Sequence, residues 1–200
     1  MSKRIVAIVG SYRRGGTIER LVDHVLESAA EHGVSTNKIF LLDRQIEFCT
    51  NCRQCTQQGG KDRGRCELAD EMAGILDEIE GADGLILASP INFGTVTAVM
   101  KRFIERTICL GYWPWGKCAP VQRNRRRDKE AVVICSSAAP GVLGRVAGNG
   151  IGVMKKAVAL LGGKSVGTLM VGLVALERRQ ELPSRAVRKA RRLGQKLAAG

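Results

Sequence analysis

The first apolar run, Ile5 to Val9, is continuous rather than alternating and stops at Gly10, the pattern of a strand buried on both faces. From Ile18 the period changes: Leu21, Val22, Val25, Leu26 and Ala29 recur at three- and four-residue steps and predict a helix to about Glu31, ended near Gly33. The same alternation of short apolar runs and helical stripes continues along the chain. Ile39 to Leu42 predicts a second strand, Met72, Ile75, Leu76 and Ile79 a helix, and Leu85 to Ala88 a third strand halted by Ser89-Pro90. Val96, Val99, Met100, Phe103 and Ile104 mark the next helix, Val132 to Cys135 a fourth strand, and Ile151, Met154, Val158 and Leu161 another helix. Val166 to Val171 is a fifth strand, and a closing helix at about 184–198 puts Ala186, Ala190, Leu193 and Leu197 on one face. Five strands alternating with five helices imply an α/β protein, a parallel sheet covered on both sides. One stretch breaks the rhythm: 109–130, CLGYWPWGKCAPVQRNRRRDKE, is too long for an ordinary turn and reads as an excursion.

Composition refines this picture. At 200 residues the chain suits one domain with a substantial core. No apolar run is long enough for a membrane span, and MSKRIVAIVGSYRR lacks a secretory pattern, so a cytoplasmic protein is expected. The net charge of +13 is concentrated. Residues 123–129 and 178–197 together hold 13 of the 32 basic residues and 2 of the 19 acidic ones, leaving only +2 for the rest. Such local charge does not describe a basic fold. The excursion nevertheless sets Tyr112, Trp113 and Trp115 beside Arg123 to Arg127, a combination able to stack and clamp nucleic acid, to cover a bound ring, to attract nucleotide phosphates or to seal a dimer. The basic terminal helix is most simply a solvated face.

In an open parallel sheet, ligands bind beyond the carboxyl ends of the strands. Three loops there carry candidate chemistry: GSYRRGGT (10–17), SPINFGT (89–95) and SSAAPGVLGR (136–145). The first places glycines, two hydroxyls and arginine before a helix N-terminus, where free amides and the helix dipole favour a phosphate. It matches the nucleoside-triphosphate loop except that Gly16 stands where that loop needs lysine, and GxGxxG is absent; a single terminal phosphate suits it better. In the second loop, Gly94 permits a positive φ, and Asn92 and Phe93 offer hydrogen bonds and an apolar face to a flat ring. No acid–base pair or nucleophilic triad stands out; His24 lies within a helix and His32 at its end.

Seven cysteines in a reducing compartment point away from a disulfide framework. Cys49, Cys52 and Cys55 sit at two-residue gaps with Cys66 further on, inside a loop spanning 48–66. Zinc normally uses two separated pairs, whereas three cysteines on one short loop are more typical of a cubane cluster completed by a fourth thiolate. Reduced thiols packed without metal remain a third possibility. Cys109, Cys118 and Cys135 have no ligand spacing and read as structural.

GSYRRGGT, CTNCRQC…GRCELADEM and ASPINFGTVTAVMKRFIER, in that order, resemble the NAD(P)H-dependent FMN reductase branch of the flavodoxin-like superfamily. The match runs from about residue 4 to 108 and, more loosely, from SSAAPG to residue 173. The cysteine segment points to the iron–sulfur flavoprotein relatives. The resemblance implies one flavodoxin-like domain over 1–200, strand order 2-1-3-4-5, binding FMN non-covalently. It would use NAD(P)H as electron donor to reduce flavin or a small acceptor, with a homodimer or larger assembly as partner state. Ser11, Arg13, Gly16, Thr17 and Ile18 would hold the FMN phosphate, though the family carries Asn-Thr where this chain has Thr17-Ile18. Pro90, Ile91, Asn92, Phe93 and Gly94 would line the ribityl chain and isoalloxazine, and Ser136, Ser137 and Gly141 would close the other edge. Cys49, Cys52, Cys55 and Cys66 would ligate a [4Fe-4S] cluster in the iron–sulfur alternative, with QQGGKDRG (57–64) as an insertion before the fourth cysteine. A basic nucleic-acid-binding module is the remote alternative. No residue is assigned a catalytic role, since the flavin carries the chemistry.

Overall fold

A computed structural model describes residues 3–140, 148–175, 177 and 180–200. The elements are β1 (Arg4–Val9), α1 (Thr17–Ala30), β2 (Ser35–Phe40), α2 (Met72–Glu80), β3 (Gly84–Asn92), β4 (Thr95–Val96), α3 (Ala98–Arg106), β5 (Gly111–Tyr112), β6 (Val121–Gln122), β7 (Lys129–Ser136), α4 (Gly150–Leu160), β8 (Gly163–Val171) and α5 (Ser184–Ala199). The main sheet runs β2-β1-β3-β7-β8, all parallel, the expected order; β4 pairs antiparallel with the end of β3.

Period-two alternation within the strands divides the core in two. Val6, Ile8, Leu85, Leu87 and Val133 face α2, α3 and α4, while Ile5, Ala7, Val9, Ile86, Ala88, Val132 and Ile134 face α1 and α5. Every one of these side chains is fully buried, which is why the strands read as unbroken apolar runs. The topology reverses between β1 and β3, so the crevice outside their carboxyl ends is the switch point.

Three expectations need correction. The second strand is Ser35–Phe40, not 39–42, because polar Ser35 to Lys38 occupy an edge position where one flank faces solvent, and Leu41–Asp43 turn away in a 3-10 turn. Pro90 does not halt the third strand. Beyond Ala88, β1 has ended, so position 90 needs no donor on that side, and β3 continues to Asn92. The excursion is partly regular: β5 and β6 pair as a two-stranded antiparallel ribbon.

The α1–α5 contact shows how close packing selects residues. A Cβ on Gly194 would lie 2.3 Å from the Val25 carbonyl oxygen and 2.9 Å from Ser28 Cβ. Beside it the Ser28 hydroxyl donates to the Arg191 carbonyl at 2.9 Å. In an exposed helix Gly→Ala stabilises by up to about 1 kcal/mol; here the sign reverses. Gly194→Ala is expected to destabilise by about 1–3 kcal/mol, read as a lower urea midpoint at unchanged slope.

Candidate functional site

The loop after β1 is built around its own backbone. Ser11, buried, accepts a hydrogen bond from the Arg13 N–H at 3.1 Å, and Gly15 takes the left-handed conformation at φ 66°. Gly16 is the N-cap of α1 and offers no side chain, so the amides of the first helical turn are open to a ligand. Thr17 and Ile18 follow; the Ile18 side chain is buried in the core facing α5, leaving only its backbone for binding. A Cβ on Gly16 would press within 3.1 Å of Arg13 Cβ, which keeps the turn tight. Glu19, which the sequence reading did not single out, reaches back from the first turn, and its carboxylate accepts the Gly15 N–H at 2.6 Å.

Hydrogen bonds join this loop to the next. The Gly10 N–H donates to the Ala88 carbonyl at 2.8 Å, and the Thr97 hydroxyl donates to the Gly10 carbonyl at 2.7 Å. The Thr97 N–H donates to the buried Ser89 hydroxyl at 3.1 Å, and Thr97 Oγ1 also caps α3 by accepting from the Met100 N–H. Gly10 itself permits the approach, since a Cβ there would meet Met100 Cβ at 2.6 Å. Neither Ser89 nor Thr97 was assigned a role from sequence; an N-cap threonine opening the helical stripe of VTAVMKRFI (96–104) was the available signal.

The second loop is a two-residue hairpin. Ile91 pairs with Val96 and Asn92 with Thr95 around Phe93 (φ 46°) and Gly94 (φ 75°), both left-handed. Glycine adopts this freely, whereas phenylalanine is strained there, and the Phe93 ring stands wholly in solvent. Asn149 donates its N–H to the Gly94 carbonyl at 2.7 Å, and Gly150 packs against Ile91. The third loop begins alongside: Ser136 is the register partner of Pro90, and the Ser137 hydroxyl donates to the Ala139 carbonyl at 2.8 Å. Both serines are buried. Gly141 lies outside the described residues. The loops after β1, β3 and β7 thus meet at one end of the sheet. His24 and His32 do not join them; His24 lies 3.5 Å from Glu27 and His32 Nδ1 2.8 Å from the Ser28 carbonyl.

The cysteine loop forms a separate feature. Cys49, Cys52, Cys55 and Cys66 all border one cavity of about 520 Å³, and every cysteine of the chain is a free thiol. Among the described residues, no group of three or more His, Cys, Asp or Glu side chains is placed to hold a metal ion. The backbone is held hard: Asn51 and Arg53 are left-handed at φ 56° and 61°. The 57–64 insertion folds back instead of extending outwards. A Cβ on Gly64 would fall 1.6 Å from the Cys55 carbonyl oxygen, and the Gly64 N–H donates to the Cys109 carbonyl at 2.8 Å. That fold-back carries Cys66 to the same cavity as the other three.

One buried guanidinium locks both ends of the loop. Arg106, at the end of α3, donates to the Glu47 carbonyl at 2.8 Å before the first cysteine and to the Asp70 carboxylate at 2.5 and 3.1 Å after the last. Its Nη2 also lies 3.5 Å from Cys66 Sγ, and its buried Nε has no hydrogen-bond partner. Burial alone would raise the Asp70 carboxyl, but the Arg106 hydrogen bonds, with the Glu47 and Met72 amides, hold it below its ordinary value. Burial pushes the Cys55 and Cys109 thiols up to about 11 each, so both are protonated at neutral pH. Cys109, which had no ligand spacing, is therefore a close neighbour of the set.

The excursion is committed to this loop. Arg53 is stacked between Trp113 and Trp115, 3.9 and 4.2 Å from the ring centroids, and donates to the Trp113 carbonyl at 2.6 Å. Arg123 donates to the carbonyls of Cys55, Cys109 and Gly111. Trp113 and Arg123 are thereby occupied within the protein. No helix among the described residues is long and apolar enough to cross a membrane.

Comparison with known proteins agrees with this layout. The family model for NADPH-dependent FMN reductase matches residues 3–148. An iron-sulfur flavoprotein of Methanocaldococcus jannaschii is 36% identical over 104 residues, 52% of this chain and 51% of that protein. The match thus spans about half the length of that curated relative. Among solved structures, an FMN-dependent NADH-azoreductase from Bacillus anthracis in complex with FMN superposes at TM-score 0.72, covering 98% of this chain and 100% of that one at 14% identity. A flavodoxin from the domain Archaea superposes at TM-score 0.57, covering 98% and 96% at 10% identity. At such identities the superpositions establish the fold, which is flavodoxin-like.

Replacing Arg106 by Met strands the Asp70 carboxylate and is expected to cost about 3–5 kcal/mol, measured by urea unfolding, with Arg106→Lys losing less because one charge remains. The lowered Asp70 value means that its stabilisation is complete above 3.8 and is lost as pH falls through the folded value; Asp70→Asn should flatten that acid limb. For the raised thiols the sign is opposite. Their contribution is complete below 9.0 and is lost as pH rises towards about 11. Timed alkylation at pH 8 should therefore label exposed Cys52 and Cys118 first, and Cys55 and Cys109 last.

Proposed function

The chain belongs to the NADPH-dependent FMN reductase family, and on that footing we propose that it is an FMN-binding oxidoreductase that oxidises NAD(P)H and delivers the electrons to flavin or a small acceptor. The observation that carries this reading is the meeting of three strand-end loops beside an uncapped helix N-terminus at the β1/β3 switch point. All 200 residues are read as one domain serving that crevice. The residues present fit the cofactor. Arg13 and the amides of Gly16, Thr17 and Ile18 would hold the phosphate, with Ser11 fixing the turn. Pro90 to Gly94 would line the ribityl chain and ring, and Ser136, Ser137 and Gly141 the opposite edge. Bound FMN would supply the hydride acceptor, so the chain's own task is to bind, orient and shield. The Thr97 hydrogen bonds keep the first two loops in register, and the hairpin raises Phe93 as an apolar wall. A homodimer or larger assembly would suit a site whose aromatic rim is otherwise solvated.

The cysteines favour a second reading, an iron–sulfur flavoprotein with a [4Fe-4S] cluster. Four thiols border one cavity, Arg106 Nε is buried without a partner, and the Methanocaldococcus relative bears that name. Against it stands the spacing of the side chains, none of which gather to ligand distance among the described residues. No electron-transfer step is derived through a cluster.

Arg13→Ala is expected to weaken FMN binding at least tenfold while leaving riboflavin binding within twofold, measured by fluorescence titration. Equal affinity of the variant for FMN counts against the phosphate assignment. Iron and acid-labile sulfide counted on protein purified without air separate the two readings: about four irons per chain support the cluster, and none leaves the thiols metal-free.

A further inference from the structure

The first loop is braced by a buried charge from the helix that follows it. Glu19 is 7% exposed, yet it sits in the first turn of the helix whose amides face the proposed phosphate. One carboxylate oxygen accepts the Gly15 N–H at 2.6 Å; the other accepts from Lys38 Nζ at 2.8 Å. Lys38 belongs to β2 and is itself anchored by Asp23 at 2.7 Å. Arg14 approaches Glu19 at 3.7 Å but is drawn away by its ion pair with Asp43 and by stacking on Phe40.

Two consequences follow. The bond to Gly15 secures the left-handed turn at φ 66° before any ligand arrives, so the loop is formed in advance. The same bond places a buried anion under a site for anions, a cost unless its charge is cancelled. Around it, Arg14 and Lys38 face Glu19, Asp23 and Asp43, one charge short of balance. Among the described residues no acid pairs with Arg13, which leaves it as the loop's cation for a phosphate. Without Lys38 the surround would stand at two uncompensated negative charges, set against an incoming dianion.

We propose that Lys38 and Glu19 are positioning residues that set how strongly the loop prefers a phosphorylated flavin to an unphosphorylated one: Glu19 shapes the loop, and Lys38 neutralises Glu19. This rests on the FMN reading above. Neither side chain need touch the flavin. Burial pulls the two groups towards neutrality, but Lys38 and the Gly15 amide hold Glu19 below its ordinary value, and Asp23 with Glu19 holds Lys38 above its own.

The test is a titration of the full chain and its variants with FMN and with riboflavin. Lys38→Met is expected to weaken FMN binding at least tenfold and riboflavin less than twofold, with the FMN deficit shrinking as salt is raised. Glu19→Gln in the Lys38→Met background should restore FMN binding, and Lys38→Arg should keep the wild-type ratio. A purely structural role would lower both flavins together; an unchanged FMN-to-riboflavin ratio in Lys38→Met, or no rescue by Glu19→Gln, overturns the proposal. Inorganic phosphate, followed at the Gly15 amide by NMR, separates this outcome from failure of the FMN reading. If the wild type shows no preference for FMN, a tenfold weaker phosphate titration in Lys38→Met still sustains the role of the pair, and an equal one removes it.

Discussion

The end of the sheet where ligands would meet this protein is organised by one hydroxyl. Thr97 donates to the Gly10 carbonyl, takes the Met100 amide and, through its own N–H, engages Ser89. The end of β1 is thereby joined to the end of β3 and the start of α3, although Thr97 lies 87 residues from Gly10 in the chain. A hydroxyl can do this because it donates once and accepts twice. The knot also explains Gly10, since α3 can approach only where β1 ends without a side chain. The neighbouring loops inherit their positions from it.

The cysteine segment follows a different logic. It has little regular structure, and its shape comes from two guanidinium groups that pass through it. Arg106 holds the entry and exit, while Arg123 ties Cys55 to the excursion. Arginine suits the task because its planar fork can satisfy several carbonyls and a carboxylate at once. Arg123, at the head of the basic run that suggested an external polyanion, is thus spent on backbone oxygens within the protein.

Much of this architecture was legible in the chain. The three central strands, β1, β3 and β7, and the helices declared themselves through period, because residues facing two helical layers are apolar throughout; at the edges β8 was found only over its apolar half and β2, polar along its length, was misplaced. The strand-end loops could be assigned as candidate sites because fold class alone fixes which end of a parallel sheet binds. What could not be read were contacts between distant residues. Nothing near Arg106 in sequence announces Glu47 or Asp70, and nothing in QQGGKDRG says that Gly64 will press against the Cys55 carbonyl. Pro90 misled for a related reason: a proline ends a strand only where a partner requires its missing donor, and that depends on where β1 stops.

The hairpin at Phe93 and Gly94 has a bearing on motion. Its turn is one that phenylalanine resists, yet the Asn149 amide, at the start of α4, grips the Gly94 carbonyl, and Gly150 nests against Ile91. The tip is thus riveted to the helix behind it. Widening of that side of the crevice would strain the Asn149–Gly94 hydrogen bond, so movement of the tip is coupled to the first turn of α4. A bulky ligand approaching on that side would thus meet a tip tied to a packed helix, a slower class of motion than the rotation of a lone aromatic ring.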